Sequence, residues 1–332
     1  MQRLPNHSLQ DMKRTPPSLQ LFILCHDRPD FARQAIQSAA AQTVKAFEIV
    51  ISDNSTSDSV QELVQSEFPH LDFRRRPKNL SAFDHFNLCL SEATADYVCL
   101  FHDDDLLGPR YVESMFETIA RYPDAAAISV NAWATEEGKP AHLFFDTTGA
   151  VQFVDDPKQL ATHYFSRHQL GFAPFPGYVY ATARLRGLRF ETAAGKYADV
   201  TWLLRVAARG AIVWIAQPLM TYRLHAGNDG RRESIADRLK LLAYFKKNVP
   251  TLGAGLLMDL RFFVYKKAAD LNRSGVLVLP PARKKRIRAY LTKYRLLRFA
   301  RLDHHRSFLR KARVRLVQRL RAGMPHAPDG AA

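Results

Sequence analysis

Apolar segments of strand length alternate with amphipathic segments over the first 135 residues of the chain. The strand-like segments cover 19–25, 47–52, 71–75, 97–101 and 125–132. Apolar residues at three- and four-residue intervals predict helices over 29–42, 60–68, 81–93 and 111–122. Strands that alternate with helices are typical of a parallel sheet with helices on its faces. The pattern therefore predicts an α/β fold, with a further helix over 198–209 and a strand over 211–215.

The strand predicted over 97–101 is followed after one residue by three consecutive carboxylates, Asp103, Asp104 and Asp105. Its apolar residues indicate a strand buried on both faces, and open α/β sheets bind ligands at the carboxyl ends of such strands. Adjacent carboxylates repel one another unless a cation offsets their charge, and Mg²⁺ or Mn²⁺ suits oxygen ligands. The alternative is a solvated acidic turn before the helix that follows Pro109, because carboxylates also favour helix N-termini.

The charge of the chain is unevenly distributed. Lys and Arg outnumber Asp and Glu by 16 over the whole chain. Residues 1–230 contain 22 basic and 26 acidic side chains, whereas residues 231–332 contain 26 basic and 6 acidic ones. The basic region is predicted to be helical, and its last helix, over 283–320, has apolar residues at helical spacing among many Arg and Lys.

Three interpretations of this basic region are open. An amphipathic basic helix would bind an anionic membrane surface or an anionic substrate. The same charge would suit nucleic acid, but no nucleic-acid-binding motif accompanies it, so no nucleic acid partner is expected. The third interpretation is a solvated face of a helical region.

The cysteines and the N-terminal residues bear on localisation. Cys25, Cys89 and Cys99 show neither disulfide-like nor metal-ligand spacing, which predicts buried, reduced thiols of a cytosolic protein. Residues 1–18 are polar and lack the apolar core of a signal peptide, and no apolar stretch reaches the roughly 20 residues that span a bilayer. We expect a cytoplasmic protein, with peripheral contact to the inner face of the cell membrane as the open alternative.

Taken together, several segments resemble family 2 glycosyltransferases. The first strand and turn, 21–29, and the helix residues 35–43 resemble the opening of that family, and residues 48–58 resemble its second strand and loop. The resemblance continues through the acidic triplet with Pro109, then through 199–205, and then through Tyr222, Arg223, Leu224 and His225 with Asn228. It covers roughly residues 19–230.

The resemblance implies the GT-A fold, a Rossmann-like, mainly parallel sheet flanked by helices, followed by a basic α-helical extension. The implied domains are a polar leader at 1–18, a GT-A domain at 19–230 and a basic helical region at 231–332. The implied activity is metal-dependent, inverting transfer from a nucleotide-sugar donor to a glycan or glycolipid acceptor, in assembly of a cell-surface polysaccharide or lipopolysaccharide. Mn²⁺ or Mg²⁺ is the implied cofactor, and a UDP- or dTDP-sugar is the favoured donor.

The resemblance also assigns roles on the donor side. Asp53 corresponds to the residue that reads the nucleotide base, and Asp104 to the metal ligand. Because His102 replaces the Asp that many relatives carry at the start of the acidic motif, Asp103 and Asp105 are open to ribose contacts or to an added metal ligand. We assign Asp103 to the donor and Asp105 to the metal.

Further donor and acceptor residues follow from the same resemblance. Arg223 and His225 match positions near the diphosphate, while Arg28 either contacts the donor or only closes the first turn. The family's general base corresponds to Asp199, although Ala198 precedes it where a Glu is frequent. Segment 136–177 is predicted to form loops and short strands over the cleft. Its last part resembles the acceptor-side loop of the family, and the candidate residues there are Phe175, Gly177 and Tyr178.

The same chemistry follows from the residues themselves. Departure of a nucleoside diphosphate needs positive charge, which a metal on Asp104 and the cations Arg223 and His225 would supply. An acceptor hydroxyl needs a carboxylate to take its proton, and Asp199 lies in the first turn of a predicted helix. Purely structural roles are the alternatives. Asp53 would cap a helix, and Asp199 would only place a charge at a helix terminus. His225 would be a packed histidine, and the acceptor-side residues would belong to a hydrophobic loop folded onto the sheet.

Two other functions are compatible with parts of the sequence. Nucleotidyl transfer would ordinarily use a glycine-rich phosphate loop after the first strand, whereas residues 26–29 contain no glycine. A catalytically idle domain acting as a membrane-docked scaffold is the second alternative, and the presence of Asp53, Asp104 and Asp199 argues against it.

Overall fold

The structure is a computed structural model that describes residues 17–299, except 78–79, 146–148, 166–169, 229–232 and 250–252. The described residues form two compact units. The first lies within 1–164 and 170–251, and the second within 165–169 and 252–332. Of the helix predicted over 283–320, only the part up to 299 lies among the described residues, and the predicted leader, 1–18, is described only at its last two residues.

Ten strands and nine α-helices are defined in the described part of the chain. The strands are β1 (Leu19–Cys25), β2 (Glu48–Asp53), β3 (Asp72–Arg75), β4 (Tyr97–His102), β5 (Leu106–Leu107), β6 (Ala127–Glu136), β7 (Lys139–Leu143), β8 (Val151–Val154), β9 (Val179–Ala181) and β10 (Ile212–Leu224). The helices are α1 (Pro29–Ala40), α2 (Ser59–Glu67), α3 (Ala82–Glu92), α4 (Tyr111–Arg121), α5 (Pro157–Phe165), α6 (Ala198–Ala207), α7 (Ile235–Asn248), α8 (Gly253–Arg273) and α9 (Pro281–Phe299).

The strands form one mixed sheet in the order β3-β2-β1-β4-β9-β6-β10-β5. Parallel pairing joins β3, β2, β1 and β4 in turn, and also joins β6 to β10, whereas β9 runs antiparallel between β4 and β6. This confirms the predicted α/β class with a mainly parallel sheet flanked by helices. All seven residues of β1 are buried, as expected for a strand covered on both faces.

The middle segment contains more regular structure than the sequence predicted. Strand β7 pairs with β6, and β8 pairs with β10, while α5 was not predicted. Strand β10 is also longer than the predicted 211–215. Two register shifts interrupt its pairing with β6 between Ile215 and Met220, and this irregularity hides its continuation in the sequence.

The cysteines, helix α7 and the hydropathy of the helices bear on three further predictions from the sequence. Cys25, Cys89 and Cys99 are buried free thiols, as predicted. Helix α7, which the sequence assigned to the basic C-terminal region, belongs to the first compact unit, and the predicted domain boundaries stay a prediction. Among the described residues, no helix is both long enough and apolar enough to cross a membrane.

Gly177 occupies a position with no room for a side chain. A Cβ atom there would lie 2.7 Å from Sδ of Met220 and 3.3 Å from Oγ of Ser129, and Met220 is itself only 2% exposed. The backbone oxygen of Gly177 accepts hydrogen bonds from Ser129 at 2.9 Å and from Tyr111 at 3.2 Å. The glycine therefore allows its loop to approach β6 and β10 closely.

We expect Gly177→Ala to lower the free energy of unfolding by about 1–3 kcal/mol, because the added methyl group overpacks a filled core. Gly255→Ala is the matched control, since a Cβ there meets nothing within 4 Å and alanine favours the helix. Urea denaturation of both variants measures the difference. A Gly177→Ala protein as stable as the Gly255→Ala protein would contradict the packing described.

Candidate active site

The acidic triplet lies where the ends of β1 and β4 meet. Because these strands pair in parallel, the turn after β1 and the triplet after β4 emerge at the same edge of the sheet. The backbone N–H of His26 donates to Asp103 Oδ2 at 3.0 Å. In return, the N–H of Asp103 donates to the oxygen of Leu24 at 3.3 Å. The two turns are thus fixed to each other.

Arg28 bridges two members of the triplet. Its Nη1 donates to Asp104 Oδ2 at 2.7 Å, and its Nη2 donates to Asp103 Oδ1. The guanidinium therefore closes the first turn onto the carboxylates. Its contact with a donor stays a prediction.

Asp104 is the member of the triplet with the most positive surroundings. Its Oδ2 accepts from His225 Nε2 at 2.9 Å and from Asn228 Nδ2 at 3.4 Å, in addition to Arg28. Burial alone would raise the pKa of Asp104, but the charges of His102, Arg28 and His225 lower it below its ordinary value. Asp104 is therefore an anion at neutral pH.

The neighbouring carboxyls behave differently. Burial, and then the charge of Asp104, raise the pKa of Asp103 to about 7 against the opposing effect of Arg28. The pKa of Asp105 also lies well above its ordinary value, because the carboxyl is buried and near Asp104. Asp105 Oδ1 accepts from the backbone N–H of Arg223 at 2.9 Å. Its Oδ2 is buried and accepts no hydrogen bond from any described residue.

The end of β10 brings two predicted diphosphate-side residues to the triplet. The Nε of Arg223 donates to the backbone oxygen of Asp104, and its guanidinium lies 4.5 Å from the ring centre of Phe31. The ring of Phe31 also stacks on His225 at 4.9 Å between centroids. Phe31 was not predicted as part of the site, because its position in α1 gives no sign in the sequence that it meets β10.

The acidic turn is also held at its far end. The N–H of Gly108 donates to the oxygen of Leu219 at 2.7 Å, and the N–H of Leu107 donates to Ser38 Oγ at 3.1 Å. The buried side chain of Gln42 donates to the oxygen of Gly108 at 2.9 Å. Strand β5, within this turn, pairs with β10.

Asp53 lies at the end of β2 with both carboxylate oxygens engaged. The N–H of Ser55 donates to Oδ1 at 3.0 Å, and Arg75 Nη1 donates to Oδ2 at 2.5 Å. Asp53 and Arg75 are register partners in the parallel pair β2 and β3. Arg75 was missed by the sequence interpretation, since the register of two parallel strands cannot be deduced from the chain itself.

The loop after β2 is fixed to the turn after β1. The carboxylate of Asp27, the one described residue other than glycine with a positive φ, accepts hydrogen bonds from the backbone and hydroxyl groups of Thr56 and Ser57. Burial slightly opposes ionisation, but these hydrogen bonds lower the pKa of Asp27 to about 2. These hydrogen bonds therefore join the two loops next to Asp53.

Asp199 lies in the first turn of α6 and is half-buried. Its Oδ1 accepts from the N–H of Val200 at 2.8 Å, while burial raises its pKa to about 6. The charges of Asp105, Asp104 and Asp199 all add to the effect of burial in raising the pKa of Tyr222. Tyr222 is thus an electrostatic neighbour of both the predicted base and the predicted metal-binding carboxylates.

The segment before α6 is positioned by α3. The side chain of Asn87 donates to the backbone oxygen of Phe190 at 3.1 Å and accepts from its N–H at 2.7 Å. The ring of Phe190 stacks on Trp202 of α6 at 4.3 Å between centroids. These contacts fix the start of the helix that carries Asp199.

Residues 21–171 match the sequence profile of Glycosyl transferase family 2. Residues 21–171 therefore form a family 2 glycosyltransferase domain. The glycosyltransferase GlyA of Streptococcus pneumoniae serotype 4 is 22% identical to the chain over 234 residues, which cover 64% of the chain and 33% of GlyA. The chain therefore spans about a third of the length of that relative.

Solved structures are similar to this chain in fold. S. aureus TarS 1–349 in complex with UDP-GlcNAc superposes with a TM-score of 0.54 at 14% identity, covering 82% of the chain and 88% of TarS 1–349. A longer TarS structure gives a TM-score of 0.51 at 14% identity, covering 83% of the chain and 43% of that structure. The predicted family and the predicted GT-A fold are confirmed.

Three side chains that could together hold a metal ion lie close to one another among the described residues. His102, Asp104 and Asp105 each offer one ligand atom, and these atoms lie within 4.8 Å of one another. The buried, unpartnered Oδ2 of Asp105 fits a cation, as does a donor set of two carboxylates and an imidazole. The sequence interpretation noted His102 only as a departure from the family and gave it no ligand role.

The predicted acceptor-side residues are buried. Tyr178 is fully buried, and its hydroxyl accepts from Nε1 of Trp214 at 2.7 Å. The ring of Phe175 packs between those of Phe86 and Phe190 at 5.7 and 5.6 Å. Together with the packing of Gly177, these contacts match the alternative of a hydrophobic loop folded onto the sheet. A direct acceptor contact by these residues stays a prediction.

Proposed function

We propose that the protein is a metal-dependent, inverting glycosyltransferase that moves a sugar from a nucleotide-sugar donor to a hydroxyl group of a growing glycan. The observation that carries the proposal is the position of Asp104. It lies at the carboxyl end of β4, beside a second carboxylate and an imidazole, and is contacted by Arg28 from the turn after β1 and by His225, which directly follows β10. Such a site suits a diphosphate and its counter-ion.

On the donor side, His102, Asp104 and Asp105 are the residues that would hold Mn²⁺ or Mg²⁺. A divalent cation there supplies positive charge to the departing nucleoside diphosphate. Arg223 and Arg28 add cationic hydrogen-bond donors near the same carboxylates, and they would stabilise the charge that grows on the leaving group.

On the acceptor side, Asp199 is the proposed general base. The bond that forms joins the acceptor oxygen to the anomeric carbon, and the bond that breaks joins that carbon to the diphosphate oxygen. The acceptor proton passes to the carboxylate of Asp199, whose pKa of about 6 leaves it ionised at neutral pH yet more basic than an ordinary Asp. Attack opposite the leaving group inverts the anomeric centre.

A uridine or thymidine nucleotide is the proposed donor base, read by Asp53. Its carboxylate is held in one orientation by Arg75 and by the N–H of Ser55, which would favour a defined hydrogen-bonding partner. TarS, which shares the fold, has been crystallised with UDP-GlcNAc and with UDP, and this also supports a uridine nucleotide. We propose a cell-surface polysaccharide or lipopolysaccharide as the product, made in the cytoplasm next to the membrane.

Thermal shift with nucleotides tests the donor class. We expect UDP or dTDP with Mn²⁺ to raise the melting temperature by several degrees, because a ligand at about 100 times its Kd stabilises the folded state by about 2.7 kcal/mol. GDP and CDP serve as controls for base recognition, and each nucleotide without Mn²⁺ as the control for the metal. If no nucleotide changes the melting temperature under either condition, the transferase proposal fails and the idle scaffold becomes the better hypothesis.

A further inference from the structure

Helices α8 and α9 and the loop between them belong to the second unit. One side of α9 packs against α8. The ring of Tyr294 stacks on Phe262 with centroids 4.1 Å apart, and the hydroxyl of Tyr290 donates to the backbone oxygen of Met258 at 2.9 Å. Ile287, one helical turn before Tyr290, is buried. These contacts decide which side chains the other side of α9 presents to solvent.

That other side is basic. The sequence of α9 contains eight Lys and Arg residues and no Asp or Glu. Lys285, Arg288, Thr292 and Leu296 are all exposed. Because they recur at three- and four-residue spacing, these four side chains lie along one side of the helix. No described residue forms an ion pair with any of the described Lys and Arg side chains of α9. Their charge is therefore available to a partner.

The loop from α8 to α9 exposes two aliphatic side chains. Val276 is 75% exposed and Val278 is 85% exposed. The loop backbone is nevertheless anchored, because Leu277 donates its N–H to the last turn of α8 at 3.0 Å and Leu279 donates its N–H to Asn272 Oδ1 at 3.2 Å. Leu279 is also buried. The loop thus holds both valines outward as part of a defined structure.

We infer that these residues form a docking surface for an anionic lipid membrane. We call Val276, Val278, Lys285, Arg288 and Leu296 the basic face. Exposed aliphatic side chains in the loop and exposed Lys and Arg on the helix that follows it suit the boundary between lipid headgroups and acyl chains, where the valines enter the bilayer and the cations meet lipid phosphates. Nucleic acid would use the same cations but would gain nothing from exposed valines, so the membrane is the occupant that accounts for both features.

The membrane contact differs in kind from the proposed sugar transfer, because it uses none of the residues of the candidate active site. It is measured on the full chain without substrate, so a failure of one proposal leaves the other intact. Flotation with vesicles gives the fraction of protein bound. The vesicles contain either phosphatidylcholine alone or phosphatidylcholine with about one quarter phosphatidylglycerol.

The wild-type protein is expected to float with the anionic vesicles and not with the neutral ones, and added salt should release it. Lys285→Glu with Arg288→Glu should lower the partition coefficient by roughly tenfold or more, because two attractive charges become repulsive. Val276→Ser with Val278→Ser should lower it by roughly tenfold, because the aliphatic contribution is removed while the charge stays constant.

Matched controls change the same chemistry in the first unit. Lys158→Glu with Arg209→Glu changes the net charge equally at exposed positions, and Leu239→Ser removes an aliphatic side chain that is 44% exposed. Both controls should bind like the wild type. Absence of wild-type binding to anionic vesicles overturns the proposal, as does undiminished binding of either basic-face variant. Valine variants that bind normally while the charge variant fails would show a purely electrostatic attraction without insertion of the valines, which also overturns it.

Discussion

Replacing Asp104 with asparagine is expected to abolish divalent-metal binding and to lower kcat/KM by roughly 10³-fold or more, because a metal at the leaving group contributes several kcal/mol. Asparagine keeps the shape and one oxygen of the side chain but removes the charge that Arg28 and His225 share. The neighbouring carboxyls, whose pKa values the Asp104 charge helps to raise, lose a repulsive partner. The variant should therefore remain folded.

Two measurements separate metal binding from activity. Titration with Mn²⁺, followed by electron paramagnetic resonance or calorimetry, reports binding in the absence of any sugar donor, and release of nucleoside diphosphate reports activity. Asp124→Asn is the control, because this side chain is 99% exposed and its charge is solvated. An Asp104→Asn protein that binds Mn²⁺ as tightly as the control protein would show that the metal site is elsewhere.

Asp199→Asn is expected to lower kcat by about 10²- to 10⁴-fold, the usual contribution of a positioned general base. The asparagine oxygen still accepts from the N–H of Val200, as the carboxylate does at 2.8 Å. For the wild type, kcat/KM should fall about tenfold per pH unit below a pKa of about 6 and level off above it. The variant should lose this limb of the pH profile, which a residue that acts only through structure would not remove.

The same substitution should stabilise the protein at neutral pH. Burial raises the pKa of Asp199 from 3.8 to about 6, so between these values the folded state holds a proton that the unfolded state has released. Wild-type stability therefore falls as pH rises from about 4 to about 6, and Asp199→Asn avoids this loss. We expect the variant to be about 1–3 kcal/mol more stable at pH 7 and no more stable than the wild type near pH 4.

Asp30→Asn tests the alternative that Asp199 is only a helix-terminal charge. Asp30 is also a first-turn carboxylate, in α1, and its side chain is 88% exposed. This control should keep its activity and lose at most a few tenths of a kcal/mol of stability. Equal activity of the two variants would exclude Asp199 as the base.

The carboxyl end of β4 was predictable because two local signals coincide in the sequence. An apolar strand and a run of carboxylates are both visible without any knowledge of neighbouring strands, and the repeated strand–helix order then places Asp104 at a sheet edge. The same reasoning placed Asp199 at the start of a helix. Order along the chain was therefore sufficient for the fold class and for the places of these two carboxylates in their elements.

Contacts that depend on register or on long separation were not predictable. Arg75 meets Asp53 only because β2 and β3 pair with a particular offset, and Phe31 meets His225 across 194 positions of the chain. Tyr178 was assigned to the acceptor side from a loop resemblance, and its burial against Trp214 was not foreseen; its acceptor role stays a prediction. A loop in a sequence does not reveal which of its residues face the core.

The anchoring of the acidic turn has a consequence for its opening motions. Loops usually exchange their amide protons quickly, because their hydrogen bonds break in small local openings. Here the amides of Leu107 and Gly108 donate to Ser38 of α1 and to Leu219 of β10, so neither can exchange unless those contacts with the helix and the strand are broken. We therefore expect the turn that presents Asp104 to open together with the interior of the sheet rather than as an independent loop.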